Sequence, residues 1–209
     1  GPKNDSDKEH CQATRTVVEN IDWPCKVYRN YANENMGCRI RVSTGLDWVF
    51  ENVERAIILE DDCVPDPTFF TFCQRLLEKY ENQSHIMTIS GTNYQRRKRT
   101  VHSYYFSRYM HCWGWASWRR AWNHFDLEMS KWPTLKKNDF LANLFSSNKA
   151  QEYWKSIFDR VANNEIDSWA YIWTYSIWKK KGVNILPEEN LVSNIGFGED
   201  STHTKSSDP

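Results

Sequence analysis

The chain has 209 residues, which suits one large domain or two small ones, and a chain of that size needs no disulfide bonds to bury a core. Lysine plus arginine total 27 and aspartate plus glutamate total 27, so the formal net charge is zero, which argues against a general nucleic-acid binder. No apolar run approaches the roughly 20 residues of a membrane-spanning helix, so no transmembrane segment is expected.

The first part of the chain predicts two helices, each followed by a strand. The first helix covers 5–21, and a short strand is expected over 25–31. Apolar residues within 42–53 recur at helical spacing and predict the second helix. The continuous apolar run over 56–59 is typical of a strand that is buried on both faces of a parallel or mixed sheet.

The middle of the chain continues this alternation. Asp66 and Pro67 have the residue types of an N-cap and a first helical position, and an apolar stripe follows them at helical spacing. Strands are predicted over 86–90 and 103–107, and a further helix is predicted over 114–122.

The last part of the chain predicts helices over 150–161 and 168–180, a last strand over 183–186 and a mobile tail over 196–209. The side chains expected to face inward from the first of these helices are Tyr153, Trp154, Ile157, Phe158 and Val161. Strands that alternate with helices, without a repeat or a linker, predict a single α/β domain over 1–209.

The cysteine content leaves two interpretations open. The six cysteines are Cys11, Cys25, Cys38, Cys63, Cys73 and Cys112. No pair has the C-x-x-C spacing of a zinc ribbon. Six cysteines are enough for three disulfide bonds in a secreted protein, but we favour reduced, buried thiols in a cytoplasmic protein.

The most informative segment is the acidic triplet of Glu60, Asp61 and Asp62, which follows the predicted strand over 56–59. Ligands of open α/β sheets bind at the carboxyl ends of strands. Three adjacent carboxylates repel one another, and a hard divalent cation with oxygen ligands is the obvious partner. The alternative is a solvated acidic turn before the helix cap at Asp66.

Two later segments hold further candidates. His203 follows two glycines in a polar stretch and is either a surface residue or a second protein ligand of a metal. Asp167 precedes an aromatic helix and has the residue type of its N-cap, or it acts as a general base beside an aromatic platform. Backbone N–H groups bound to the carboxylate would weaken it as a base.

Residues 59–62 (Leu-Glu-Asp-Asp), with 65–67 (Pro-Asp-Pro) and two phenylalanines at 69–70, resemble the metal-binding strand end of GT-A glycosyltransferases. The likeness is to inverting N-acetylglucosaminyltransferases of N-glycan processing and their bacterial polysaccharide relatives. The other segments that agree in order are 43–50, 89–93, 113–115, 167–169 and 196–203.

This resemblance implies a GT-A, or nucleotide-diphospho-sugar transferase, fold with a mixed sheet flanked by helices. The likeness spans residues 37–205. The family begins with a strand–helix–strand unit that holds the nucleotide base, and this sequence starts as though cut after that unit. Gly1 and Pro2 could be a protease scar, and in either case we expect the first base-binding strand to be absent. The expected domain is then an N-terminally truncated fragment, or its sheet is completed by something else.

The resemblance assigns the donor side of the site. Asp62 would bind the metal, manganese or magnesium, together with His203. Glu60 and Asp61 would face the ribose and the donor sugar, with UDP as the expected nucleotide. Arg41 matches a position near the diphosphate, and its alternative is a solvated helix charge.

The resemblance also assigns residues to the acceptor side of the site. Asp167 would be the catalytic base. Asn93 would lie by the sugar or the acceptor, or it is a turn-forming residue. Trp115 and Trp169 would wall the sugar sites, or they are core, because large rings serve either purpose.

The implied function is metal-dependent transfer of a sugar from a nucleoside diphosphate sugar to a hydroxyl of a glycan or lipid-linked acceptor, with inversion, in polysaccharide biosynthesis. No nucleic-acid partner is expected. The expected location is cytoplasmic or peripheral to the inner face of the membrane. A carbohydrate-binding module without catalysis and a nucleotidyltransferase are the alternatives; the 11 Trp residues favour the former.

Overall fold

A computed structural model describes residues 1–197 of the chain as a mixed α/β structure. Its main element is a five-stranded sheet with the order β1-β5-β3-β6-β4. A second, two-stranded sheet pairs β2 with β7 in antiparallel register. The strands are β1 Arg55–Ile58, β2 Cys63–Pro65, β3 Ile86–Ser90, β4 Tyr104–Ser107, β5 Trp115–Trp118, β6 Val183–Pro187 and β7 Val192–Asn194.

The strand directions bring several loops to one edge of the large sheet. Strand β5 is antiparallel to both β1 and β3, and β3 is parallel to β6, so β1, β3 and β6 run in the same direction. Strand β4 is antiparallel to β6. The carboxyl ends of β1, β3 and β6 therefore lie at one edge, beside the amino ends of β4 and β5. We call this the carboxyl edge.

Helices cover both faces of the sheet. Consecutive strand residues point to opposite faces, and Trp115 belongs to one apolar core while Ala116 belongs to the other. Helix α3 packs on the Ala116 face, and α2 with α4 to α7 packs on the Trp115 face. The helices are α1 Asp5–Glu19, α2 Gly37–Asn52, α3 Pro67–Lys79, α4 Arg119–Trp122, α5 Trp132–Leu135, α6 Asn148–Ala162 and α7 Trp169–Lys179.

The helices with a clear apolar period or cap lie where the sequence predicts them. Asp66 is the N-cap of α3, and its side chain accepts a hydrogen bond from the Thr68 amide at 2.9 Å. Pro67 occupies the first turn, as predicted. In α6 the prediction for Tyr153 is wrong, because that side chain is 53% exposed.

Four predictions that concern strands need correction. Residues 25–31 form no strand, and the segment is largely exposed. Residues 115–118, predicted as helix, are the central strand β5, and only α4 after them is helical. Strand β6 is followed by β7, so 183–186 does not contain the last strand. The run over 56–59, predicted to be a strand buried on both faces, instead contributes to β1, which is a half-buried edge strand.

The cysteines have different surroundings. Cys63 and Cys73 are buried, as expected, whereas Cys25 is exposed, which corrects the expectation for that residue. Their redox state stays a prediction.

Candidate functional site

The acidic triplet lies at the carboxyl edge, in the turn between β1 and β2. Glu60 and Asp62 are half-buried and Asp61 is exposed. The Cys63 amide donates to the Glu60 carbonyl at 3.1 Å and closes the turn. The position of the triplet at the carboxyl end of a strand is therefore as predicted.

The returning strand β7 brings a glycine onto Asp62. Cys63 is paired with Asn194, and the Ile195 amide donates to the Asp62 carbonyl at 2.9 Å. The next residue, Gly196, packs so closely that a Cβ atom there would overlap with Oδ2 of Asp62. Only glycine leaves this carboxylate oxygen free of a side chain, so the close approach explains the residue type.

Negative charge in the triplet has no cationic partner among its described neighbours. Burial raises the pKa of the Glu60 carboxyl above its ordinary value, and the charges of Asp62 and Asp61 raise it further, against a hydrogen bond from the Trp169 side chain that lowers it. Such uncompensated oxygen ligands fit a hard divalent cation.

The described residues do not complete a metal shell by themselves. Within 1–197, no three or more His, Cys, Asp or Glu side chains are arranged to hold a metal ion. A metal held by one or two carboxylates commonly completes its shell with substrate phosphates and water. His203, the predicted second ligand, lies outside the described residues, as does most of the tail expected to be mobile. Metal binding stays a prediction.

Asp167 lies near the triplet, although about a hundred residues separate them in the sequence. The carboxylate accepts the Cys38 amide on Oδ2 and the Arg39 amide on Oδ1, both at 2.9 Å. Burial, together with the charges of Glu60 and Asp167, raises the pKa of the Cys38 thiol to about 11, so both acids lie near this thiol. The amino end of α2 thus connects Asp167 with the triplet.

Asp167 was predicted to cap the aromatic helix that follows it, α7, and this prediction is wrong. Ser168, without a side-chain capping bond, is the N-cap of α7. Asp167 caps α2 instead, where Gly37 has a φ of +74° and leaves room for the carboxylate. A residue with a Cβ atom at Gly37 would be strained in this left-handed region and would crowd Oδ2 of Asp167.

Trp115 and Trp169, which we call the inner pair, are core residues. Trp115 is 0% and Trp169 is 2% exposed. The rings stack on each other at 5.5 Å between centroids with an interplanar angle of 22°. Neither ring offers an open face to a sugar, so of the two alternatives the structure favours core.

A second aromatic cluster at the carboxyl edge was not predicted. It consists of Tyr94, His111, Trp113 and Phe197, and we call it the rim group. Tyr94 packs on His111 at 4.5 Å and on Trp113 at 5.4 Å between ring centroids. Trp113 contacts Phe197 edge-on at 5.4 Å. Because Phe197 follows Gly196, the rim group reaches the Asp62 carboxylate.

Arg41 and Asn93 have structural partners. The Arg41 guanidinium donates to Oδ1 of Asn30 at 3.1 Å and also to the Asn30 carbonyl. Asn93 is buried; its amide group donates to the Glu188 carbonyl at 2.7 Å, and its Oδ1 accepts from the Gln95 amide. For Asn93 these contacts favour the turn-forming alternative.

Comparison with known proteins finds no protein-family model and no curated protein that matches this chain. Of the helices in residues 1–197, none has the length and apolar character needed to cross a membrane.

Proposed function

We propose that the protein is a metal-dependent glycosyltransferase of GT-A type, with its donor site at the carboxyl edge. The observation that carries this proposal is the acidic triplet at the carboxyl end of β1, with Gly196 packed against Oδ2 of Asp62 where any larger residue would overlap with it. The donor is a nucleoside diphosphate sugar, with UDP as the first nucleotide to test. The mixed sheet and its flanking helices support a GT-A fold.

Asp62 would hold the metal ion, and Glu60 and Asp61 would face the ribose and the donor sugar. The metal supplies positive charge where the leaving diphosphate becomes more negative. Burial and mutual repulsion leave the triplet with charge that a cation can neutralise, as the raised pKa of Glu60 indicates. Arg41 remains a candidate for the diphosphate if its bonds with Asn30 open.

Asp167 is the proposed general base. Its two backbone hydrogen bonds use one lone pair on each oxygen, and an ionised carboxylate offers about four acceptor sites. The residue is exposed, so an acceptor hydroxyl can reach the remaining sites. The two bonds fix the carboxylate in place, which lowers the entropic cost of the proton transfer.

The rim group is the proposed platform for the acceptor sugar. Tyr94 is 51% exposed, whereas the inner pair is buried, so of these two clusters the rim group is the one with ring faces that a ligand can use. The contact between Trp113 and Phe197 places this platform next to the segment that packs on Asp62.

The rim group also favours the second candidate, a carbohydrate-binding module without catalysis. Exposed aromatic rings are sufficient for sugar binding and need no metal. The two functions differ in whether donor binding depends on the divalent cation and on Asp62.

Thermal unfolding with a panel of nucleotide sugars tests the proposal. With manganese and a donor at one hundred times its Kd, ligand linkage adds about 2.7 kcal/mol, which raises Tm by roughly 5–10 °C for a chain of this size. Asp62→Asn should lose this shift, and Asp22→Asn, an exposed acid outside the site, should keep it. A shift that needs neither manganese nor Asp62 would favour the binding module.

A further inference from the structure

The loop between β3 and β4 carries a dense positive charge. Arg96, Arg97, Lys98 and Arg99 are consecutive and exposed. Within the described part of the chain, none of these side chains forms an ion pair, whereas Arg55, Arg119 and other basic residues do. Since the whole chain has a formal net charge of zero, the four charges form a local patch. We call residues 94–101 the basic loop.

The basic loop is anchored at both of its ends. The Gln95 amide donates to Oδ1 of Asn93 at 2.9 Å, and the Arg99 amide donates to Oε1 of Glu188 at 2.5 Å. The Arg99 guanidinium donates to Oε1 of Gln95 at 3.0 Å. These bonds close the loop on itself, and within residues 1–197 the side chains of Arg96, Arg97 and Lys98 form no hydrogen bond or ion pair.

Acidic groups beside the loop do not cancel its charge. Glu188 and Glu189 line the same cleft as Lys98. Against four basic side chains, two carboxylates leave the surface net positive.

An apolar side chain lies next to the charges. Val101 is 90% exposed, the highest value among the exposed large apolar side chains of residues 1–197. One exposed apolar residue is ordinary on a protein surface. Here it lies two residues after a polybasic run, and that combination is typical of segments that bind anionic membrane surfaces by charge and insert a short apolar side chain.

The basic loop lies at the carboxyl edge. It begins at Tyr94, which belongs to the rim group. A surface bound to the loop would therefore lie beside the proposed acceptor platform, with the sheet and its cores on the far side.

We propose that the basic loop docks the carboxyl edge onto an anionic lipid surface. Both features of the loop are then used: the basic side chains attract the charged headgroups, and Val101 enters the interface. A soluble anionic glycan would explain the charges and leave the exposed valine unexplained. The inference concerns the surface only and does not depend on glycosyl transfer.

Vesicle binding by the full chain tests the inference. The probe is vesicles of phosphatidylcholine and phosphatidylglycerol in equal parts, with pure phosphatidylcholine as the neutral comparison. The double variant Arg97→Gln/Lys98→Gln should bind the anionic vesicles about twenty-five-fold more weakly, at about fivefold for each charge near the surface. Added salt should weaken wild-type binding, and the double variant should respond less to salt.

A matched control removes two charges at the opposite edge of the sheet. Lys180 and Lys181 are exposed and precede β6, so Lys180→Gln/Lys181→Gln should bind the vesicles as wild type does. Val101→Asn should bind about fivefold more weakly with an unchanged salt response, because it removes apolar area and no charge.

Three results would overturn the inference. The first is equal wild-type binding to anionic and neutral vesicles. The second is an equal loss in the Arg97/Lys98 and Lys180/Lys181 variants. The third is binding of a soluble oligogalacturonate, a carboxylated glycan, with no binding to anionic vesicles, which would assign the loop to an anionic sugar chain.

Discussion

The inner pair and the rim group are both aromatic clusters near the acidic triplet, and they have opposite surroundings. Trp115 and Trp169 stack within the core between the sheet and its helices and are at most 2% exposed. Tyr94 in the rim group is about half exposed. Trp169 interacts with Glu60 from inside the fold, and Gly196, the neighbour of Phe197 in the rim group, packs on Asp62. The triplet therefore has the buried inner pair on its core side and the partly exposed rim group on its surface side.

A sequence does not show whether an aromatic residue stabilises the core or binds a ligand, and the structure assigns these two roles to different clusters. The inner pair stabilises the fold and positions the strand that bears the triplet. The rim group offers ring faces to a ligand. Substitutions in the two clusters should consequently affect different measurements.

The largest effect is expected from Trp115→Ala. Loss of a fully buried indole should lower the free energy of unfolding by about 3–5 kcal/mol, as large-to-small core substitutions do. Trp113→Ala, in the half-buried rim group, should cost about 1 kcal/mol. Urea unfolding followed by circular dichroism measures both. Equal losses in the free energy of unfolding for the two variants would contradict the distinction between the buried inner pair and the rim group.

The second effect concerns Asp167, which lies two residues before Trp169 of the inner pair. Asp167→Asn leaves one carbonyl oxygen and places an amide NH₂ opposite a backbone N–H of α2, so one cap bond is lost. The expected cost is about 1 kcal/mol of stability. If Asp167 is also the base, turnover should fall by roughly 10²–10⁴-fold.

A matched cap separates these two consequences. Ser147 caps α6 through the Ala150 amide, away from the triplet, and Ser147→Ala should cost about as much stability with transfer unchanged. If Asp167→Asn behaved as Ser147→Ala does, Asp167 would be a structural cap only.

The smallest effect on stability is expected at the rim. Gly196→Ala places a methyl group against Oδ2 of Asp62 and should displace the end of the described tail. The cost in unfolding free energy should stay below about 1 kcal/mol, yet donor affinity should fall. Gly45→Ala is the control, because a Cβ atom there meets only Arg41 Nη1 at 3.9 Å. Unchanged donor affinity in Gly196→Ala would show that the open approach to Asp62 is not needed.

Local signals in the sequence predicted much of the fold. Helical spacing and the Asp66 cap located α2 and α3 because both signals lie within one element. Residues 115–118 were misassigned because four residues are too few to separate a helical period from alternation. What decides their conformation is pairing with β1 on one side and β3 on the other, and these partners are distant in sequence.

For the site, as for the fold, the sequence predicted the local features and not the contacts between distant segments. The triplet and its strand end are local and were located from the sequence. The cap of Asp167 on α2 links residues more than a hundred positions apart, and the rim group combines three separate segments. Trp113 and Trp115 are two residues apart in the same motif, and composition alone gives no reason to place one at the rim and the other in the core.

Product analysis tests the proposed function most directly. The protein is incubated with manganese, an acceptor glycan and the nucleotide sugar that most raises its Tm, and phosphorus NMR follows the phosphate groups. We predict release of nucleoside diphosphate by the wild type, loss of release in Asp62→Asn, and unchanged release in Asp22→Asn. Pyrophosphate as the product, or donor binding with no release of nucleotide, would contradict glycosyl transfer.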